Sequence, residues 1–142
     1  MASIYKQTTL EVDSETAWTA LRQVGDAHKL FAPVLTDGRL NGDTRTVTFA
    51  NGMVVRERIL DVDNERKRVA YTVLDGPGMT YHHASMQIVD AGGGRCRFIW
   101  ITDFLPGDLA QTLTPLIEQG TEALKRNLDA RQTAAAAAAA GS

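Results

Sequence analysis

The sequence contains very little cysteine and no long apolar segment. Its single cysteine, Cys96, excludes an internal disulfide and a zinc site built from several cysteines. No apolar run approaches the roughly 18 residues that a membrane-spanning helix needs. The first residues lack the basic-then-apolar profile of a signal peptide, so we expect a cytoplasmic protein without a membrane span.

An excess of charge of one sign is also missing. The 142 residues carry a formal net charge of -2. The basic run at residues 66–68 lies beside acidic residues, which is typical of a solvated hairpin tip, so we expect no nucleic-acid partner. The histidines show neither the spacing of a helical pair nor alternation along a strand, and nucleotide motifs are absent. We therefore expect no metal and no cofactor.

Length and composition fit one globular domain. Hydrophobic residues make up 44% of the chain, which is enough for an ordinary core. We assign residues 1–133 to this domain. Residues 134–142 are mostly alanine and carry no packing information, so we expect a tail that is disordered or foreign to the domain. Alanine could also extend the last helix.

Six strands are predicted in close succession between residues 34 and 104. Asn51-Gly52 is the strongest short signal for a β-hairpin, and further reversals are predicted at 63–65, 76–78 and 92–94. Turns this short force neighbouring strands to be antiparallel, so the pattern predicts a meander. An additional strand at residues 3–12 brings the sheet to about seven strands.

Helices are predicted on either side of the meander. Asp13 is a candidate N-cap for a short helix that ends at Gly25, and a second short helical turn is expected at residues 26–31. A long amphipathic helix follows, with Asp108 as its expected N-cap and Gly120 allowing close approach to the sheet. The pattern predicts an α+β fold in which a curved antiparallel sheet wraps around this helix and leaves a cavity between them.

The sequence leaves open which face of the strand at residues 80–89 lines that cavity. One face carries His83 and Ser85, and the other carries Ala84 and Met86. The tight turn at 92–94 predicts the pairs His83 with Asp103, Ser85 with Ile101, and Met86 with Trp100. Hydrophobicity alone favours the Met86 face as the inner one.

A second indication comes from a family resemblance. It is carried by Glu57-Arg58, the run at residues 63–66, Tyr71, the Asp75-Gly76 pair and His83-Ala84-Ser85. With the element order over residues 3–130, these motifs resemble the START-like superfamily. Its members share the helix-grip fold and include bacterial polyketide cyclase/dehydrase-like proteins, lipid-transfer domains and plant abscisic acid receptors.

The resemblance implies which side chains face the ligand. In the receptors the matching glutamate, aromatic residue and serine line the pocket, which implies that Glu57, Tyr71 and Ser85 do so here, with His83 at the position of a pocket tyrosine. The receptors' proline-bearing gate loop and pocket lysine have no counterpart in this chain. The bacterial group is therefore the better match, and hormone-style gating is not expected.

The leading hypothesis is that the domain binds a small hydrophobic or aromatic, polyketide- or lipid-like molecule in the cavity. The candidate ligand-binding residues are Glu57, Tyr71, His83, Ser85, Ile101, Phe31, Ile117 and Leu124. One alternative is a cyclase or dehydratase. In such an enzyme His83, oriented by Asp103, would be a general base and a desolvated Glu57 a proton donor.

A third hypothesis is a protein-interaction module of the chaperone type. It depends on the other face assignment, in which Met86, Phe98 and Trp100 point outward and form an exposed apolar patch. The same patch could instead form a homodimer interface.

Overall fold

The computed structural model describes residues 2–140, and side chains as far as residue 131. Seven strands form a single sheet: β1 (Ala2–Leu10), β2 (Leu35–Asn41), β3 (Thr44–Phe49), β4 (Val54–Asp63), β5 (Arg68–Val73), β6 (Tyr81–Gly92) and β7 (Arg95–Leu105). The strand order is β1-β7-β6-β5-β4-β3-β2, so the last strand pairs with the first and the rest form a meander. The predicted α+β helix-grip fold is confirmed.

Three helices complete the fold: α1 (Ser14–Leu21), α2 (Ala27–Leu30) and α3 (Ala110–Ala140). The first two are the predicted short helices after β1, and α3 is the long C-terminal helix. The backbone of α3 continues into the alanine stretch, but the side chains of residues 134–142 lie outside the described residues. In the described part of the chain, no helix is long and apolar enough to cross a membrane.

The helix ends differ in detail from the prediction. Asp13 caps α1 as expected, since its carboxylate accepts the Thr16 N–H at 2.7 Å. However, α1 ends at Leu21 and not at Gly25, because the following residues tighten into a 3₁₀ turn at Val24–Asp26. A second 3₁₀ turn at Gly107–Leu109 contains Asp108, so this residue does not cap α3.

The predicted register of the β6–β7 hairpin is confirmed. His83 pairs with Asp103, Ser85 with Ile101, and Met86 with Trp100. Because opposite residues of an antiparallel pair share a face, this register groups side chains across the whole sheet. Ala84 lies on the same face of β6 as Met86 and pairs with Tyr71 of β5. Tyr71 therefore points to this face as well.

The concave face of the sheet and α3 enclose the core. Phe98, Phe104 and Leu124 are fully buried there. At Gly120 an added Cβ would lie 3.0 Å from the Trp100 ring, so the predicted close approach of helix and sheet is confirmed and a larger residue would require the ring to shift. Met86, Phe98 and Trp100 lie on this inner face. The alternative in which these three side chains point outward is therefore wrong, and they do not form the exposed patch on which the interaction-module and homodimer hypotheses depended.

Candidate functional site

A cavity of about 210 Å³ lies between the concave face of the sheet and the first half of α3. Its walls are mostly apolar and come from strands β2 to β7, from α2 and α3, and from the loops between them. The lining residues are Ala27, Phe31, Val34, Leu35, Arg45, Val47, Phe49, Met53, Val55, Glu57, Tyr71, Val73, Gly76, Pro77, Met79, His82, Met86, Trp100, Thr102, Leu109, Thr112, Leu113, Leu116, Ile117 and Gly120.

The cavity exists because α3 packs unevenly along its length. From Ile117 onward the apolar stripe of α3 is buried against the sheet, with Leu124 and Leu128 fully inaccessible. Towards the start of the helix, Leu113 and Leu116 are only half-buried and face the cavity. Met53 and Met79, in the loops before β4 and β6, also line the cavity.

A buried ion pair forms part of the wall. Arg45 and Glu57 are opposite each other on β3 and β4, and Arg45 Nε donates to Glu57 Oε1 at 2.9 Å. Their side chains are only 8% and 12% exposed. Arg45 also donates to the Val24 carbonyl at 3.2 Å and lies over the Tyr71 ring. Glu57 is thus committed to a cation, and this geometry does not support the proton-donor role predicted for it.

Tyr71 presents a hydroxyl group in the cavity wall. The indole N–H of Trp100 donates to the Tyr71 hydroxyl oxygen at 3.2 Å. Burial raises the pKa of Tyr71 well above its usual value, and the negative charge of Glu57 raises it further. The hydroxyl therefore keeps its proton at neutral pH. Since its oxygen already accepts from Trp100, the Tyr71 hydroxyl can act as a donor to a bound molecule.

His82 is the histidine that lines the cavity. Its Nδ1 accepts the backbone N–H of Val73 at 3.0 Å, so in the neutral ring Nε2 carries the proton. Burial lowers the pKa of His82 to about 4, the neighbouring His83 lowers it as well, and Asp103 opposes the shift. At neutral pH this imidazole is an uncharged donor, and in the described residues Nε2–H has no protein acceptor.

The depressed pKa of His82 predicts a specific loss of stability in acid. Between the usual histidine value of 6.5 and about 4, the unfolded chain binds a proton that folded His82 does not. The contribution of His82 to the free energy of unfolding should therefore be complete above pH 6.5 and decrease as the pH is lowered towards 4. The variant His82→Asn keeps an acceptor for the Val73 N–H but cannot titrate, so its stability should fall less over this range.

Urea denaturation across that pH range tests the prediction. The matched control is His83→Asn, which removes the adjacent histidine on the other face of β6 and should retain most of the wild-type pH dependence. Equal pH dependence in wild type and His82→Asn would contradict the assignment of His82 as a buried neutral group.

Thr102 adds an unsatisfied hydroxyl to the wall. The residue is 2% exposed, and its Oγ1 has no hydrogen-bond partner among the described residues. It pairs across β6 and β7 with Ala84, which in turn pairs with Tyr71. Ala84 separates the two hydroxyl-bearing residues and is itself fully buried.

The structure divides the residues predicted for ligand binding. Glu57, Tyr71, Phe31 and Ile117 line the cavity, and Phe31 packs on Trp100 with ring centroids 5.7 Å apart. Whether these residues contact a ligand stays a prediction. Leu124 does not reach the cavity, because it lies in the tightly packed core behind it.

The other predicted residues lie on the wrong face of the sheet. His83, Ser85, Ile101 and Asp103 alternate with the inner residues of β6 and β7, so they point away from the cavity. The predicted acid–base group is consequently not assembled, since Glu57 lies inside while His83 and Asp103 lie outside. The cyclase mechanism based on those three residues is wrong for this geometry.

Sequence reasoning missed Arg45, His82, Trp100 and Thr102 as cavity residues. A signal for Arg45 was present, because it alternates with the apolar residues Val47 and Phe49 on one strand. Its pairing with Glu57 was not predicted, since the turn holds three residues, 50–52, and not the two of Asn51-Gly52. The pairing of Met86 with Trp100, taken with hydrophobicity, favoured the face of β6 and β7 that also carries His82 and Thr102, but the candidate residues were chosen from the opposite face. Nothing in the sequence indicated that Thr102 would lack a partner.

Comparison with known proteins places this geometry in a wider group. The sequence model of a family described as polyketide cyclase / dehydrase and lipid transport matches residues 1–134. No curated protein sequence is significantly similar to the chain.

Solved structures with the same fold are similar over most of their length. An uncharacterized protein from Bacillus thuringiensis has a TM-score of 0.82 at 15% identity, covering 89% of this chain and 98% of its own. XoxI from Bacillus cereus has a TM-score of 0.82 at 15% identity, and the match covers 90% of this chain and 96% of XoxI. Norcoclaurine synthase from Thalictrum flavum, solved in complex with dopamine and hydroxybenzaldehyde, has a TM-score of 0.69 at 18% identity. The match covers 88% of this chain and 84% of the synthase. At these identities the similarity concerns the fold.

Proposed function

Because the chain belongs to the polyketide cyclase/dehydrase and lipid transport family, we propose that residues 1–133 form one domain that binds a small hydrophobic or aromatic molecule. The ligand would occupy the cavity between the sheet and α3. The observation that carries this proposal is the cavity of about 210 Å³, whose wall is mainly apolar with a few polar groups. Such a composition is typical of small-molecule sites.

The size of the cavity supports a compact ligand. An apolar protein cavity of roughly 150 Å³ takes up benzene, so the larger space here suits a molecule of one or two rings or a short acyl chain. Phe31, Trp100 and Tyr71 provide aromatic surface for such a ligand. The complex of norcoclaurine synthase with dopamine and hydroxybenzaldehyde supports the choice of aromatic probes.

A cavity-filling variant tests the proposal. Val55 lies on the inner face of β4 and lines the cavity. The substitution Val55→Phe should fill part of the space and reduce the affinity for a naphthalene-type ligand by at least about tenfold, since occupied volume cannot accept a second ring system. Because the added ring enters existing space, the free energy of unfolding should change by less than about 1.5 kcal/mol. Isothermal titration calorimetry and urea denaturation measure the two quantities.

The adjacent residue provides a matched control. Val54 is 60% exposed, because it points to the other face of the same strand. Val54→Phe adds the same atoms outside the cavity and should leave ligand affinity unchanged. Equal affinity for all three proteins would show that the ligand binds elsewhere, and the cavity would lose its proposed role.

A further inference from the structure

We propose that Thr102, Tyr71 and His82 form a hydrogen-bonding subsite for one uncharged acceptor oxygen of an otherwise apolar ligand. Ketone, aldehyde, ester and quinone carbonyls are the chemical class that fits. This inference rests on the proposed function, because it concerns how the same cavity selects among apolar molecules.

The sheet register brings the three residues together. Tyr71, Ala84 and Thr102 form one row across β5, β6 and β7, and His82 is the next inward-facing residue along β6. All three polar residues line the cavity. Ala84 itself is fully buried, and the Tyr71 and His82 rings lie with their centroids 5.8 Å apart, so these two donors are neighbours in the wall.

The hydroxyl group of Thr102 is the strongest indication that a hydrogen-bond acceptor of the ligand binds at this subsite. A buried hydroxyl without a partner destabilises the protein, because it has given up hydrogen bonds to water and received none in return. Among the described residues, Thr102 Oγ1 has no protein group as its hydrogen-bond partner. A carbonyl oxygen placed in the cavity would accept its proton and remove the penalty.

The other two residues also have protons to donate. The Tyr71 hydroxyl oxygen accepts from Trp100, which leaves its own proton for a ligand. His82 Nδ1 is occupied by the Val73 N–H, which leaves Nε2–H as the free polar atom of the ring. A cluster of donors recognises an acceptor oxygen and offers nothing to a ligand group that can only donate.

The charges in the wall select against a carboxylate. Arg45 is the cation among the lining residues, and it is paired with Glu57 and the Val24 carbonyl. A ligand carboxylate would be desolvated beside the negative charge of Glu57 without a cation free to neutralise it. The subsite therefore prefers a neutral carbonyl over an acid of the same shape.

Three probes with the same ring system separate these preferences. Methyl naphthyl ketone, ethylnaphthalene and naphthoate differ in the group that would reach the subsite. By isothermal titration calorimetry, the wild-type protein should bind the ketone about five- to tenfold more tightly than ethylnaphthalene, which is the range of one or two net hydrogen bonds. Naphthoate should bind more weakly than the ketone.

The variant Thr102→Val replaces the hydroxyl by a methyl group of similar size. It should lose most of the preference for the ketone while retaining affinity for ethylnaphthalene. Its ligand-free melting temperature should rise, since an unpaired buried hydroxyl is removed. The matched control is Thr121→Val, because Thr121 is equally buried but outside the cavity, with its hydroxyl bonded to the Ile117 carbonyl at 2.8 Å. This control should keep the wild-type preference.

The outcomes distinguish the subsite from the cavity. Equal binding of ketone and ethylnaphthalene by the wild type, or an unchanged ketone preference in Thr102→Val, would overturn the subsite and leave the proposed function standing. Tighter binding of naphthoate than of the ketone would also overturn it and would identify Arg45 as a carboxylate anchor. Binding of none of the three probes would overturn both proposals.

Discussion

The substitution Glu57→Leu is expected to lower the free energy of unfolding by about 3–5 kcal/mol, because it leaves a buried guanidinium without its partner. Arg45 is almost inaccessible, and its Nε donates to Glu57 at 2.9 Å. Arginine does not lose its proton in proteins, so the charge cannot be removed by titration. Urea denaturation measures the effect, which should appear as a shift in midpoint at an unchanged slope.

Two further variants isolate the cause of that loss. Adding Arg45→Met to Glu57→Leu removes the stranded charge and should recover most of the lost stability, since buried pairs can often be replaced by apolar residues of similar volume. Asp75→Ala breaks the Arg56–Asp75 pair on the outer face of the sheet, where both side chains are about half exposed. This exposed pair should contribute at most about 1 kcal/mol. Similar costs for Asp75→Ala and Glu57→Leu would contradict the assignment of Arg45–Glu57 as a buried pair.

The substitution Trp100→Ala is expected to cost at least about 3 kcal/mol and to change the size of ligand that the cavity accepts. Trp100 packs edge-on against Phe98 with centroids 6.1 Å apart and also contacts Phe31 and Gly120. Its removal joins its own volume to the cavity and deprives the Tyr71 hydroxyl of a donor. Chemical denaturation measures the loss, and titration with ligands of increasing ring number measures the change in preferred size.

Trp18→Ala is the matched control for this prediction. Trp18 is buried on α1 and donates to the Asn64 side chain, but it is not part of the cavity wall. Its truncation should cost a similar amount of stability without altering ligand preference. A shift towards larger ligands in Trp18→Ala, or none in Trp100→Ala, would show that Trp100 does not set the size of the cavity.

Most of the fold could be predicted from the sequence because short turns determine the topology of a meander. Asn51-Gly52 and the glycines at 92–94 each join neighbouring strands, and the latter also fixed the β6–β7 register. The last helix then had only one apolar surface on which to pack. Helix ends were harder to predict, because the 3₁₀ turns that replace a helix cap depend on local backbone geometry.

The site was predicted only in part, because a one-residue shift moves every side chain of a strand to the other face. The family resemblance matched Glu57 and Tyr71 to pocket positions, and both line the cavity. On β6 the same resemblance selected His83 and Ser85, whereas Ala84 is the residue opposite Tyr71. The hydrophobic pattern of Met86 and Trp100 favoured the face that the structure places inside, although the sequence left the choice open. Periodicity within the chain was thus more reliable here than correspondence with distant relatives.

The uneven packing of α3 has a consequence for how molecules enter and leave. Beyond Gly120 the helix is fastened to the rest of the fold, since Asn127 donates to the carbonyls of Leu30 and Ala32 at 2.7 and 2.9 Å. In the described part of the chain, the side chains of residues 110–119 make no hydrogen bond to the sheet. Segments with so few attachments open at a lower free energy than the whole domain. The first turns of the helix are therefore the part of the cavity wall that can be displaced at the lowest free-energy cost while the seven strands stay paired.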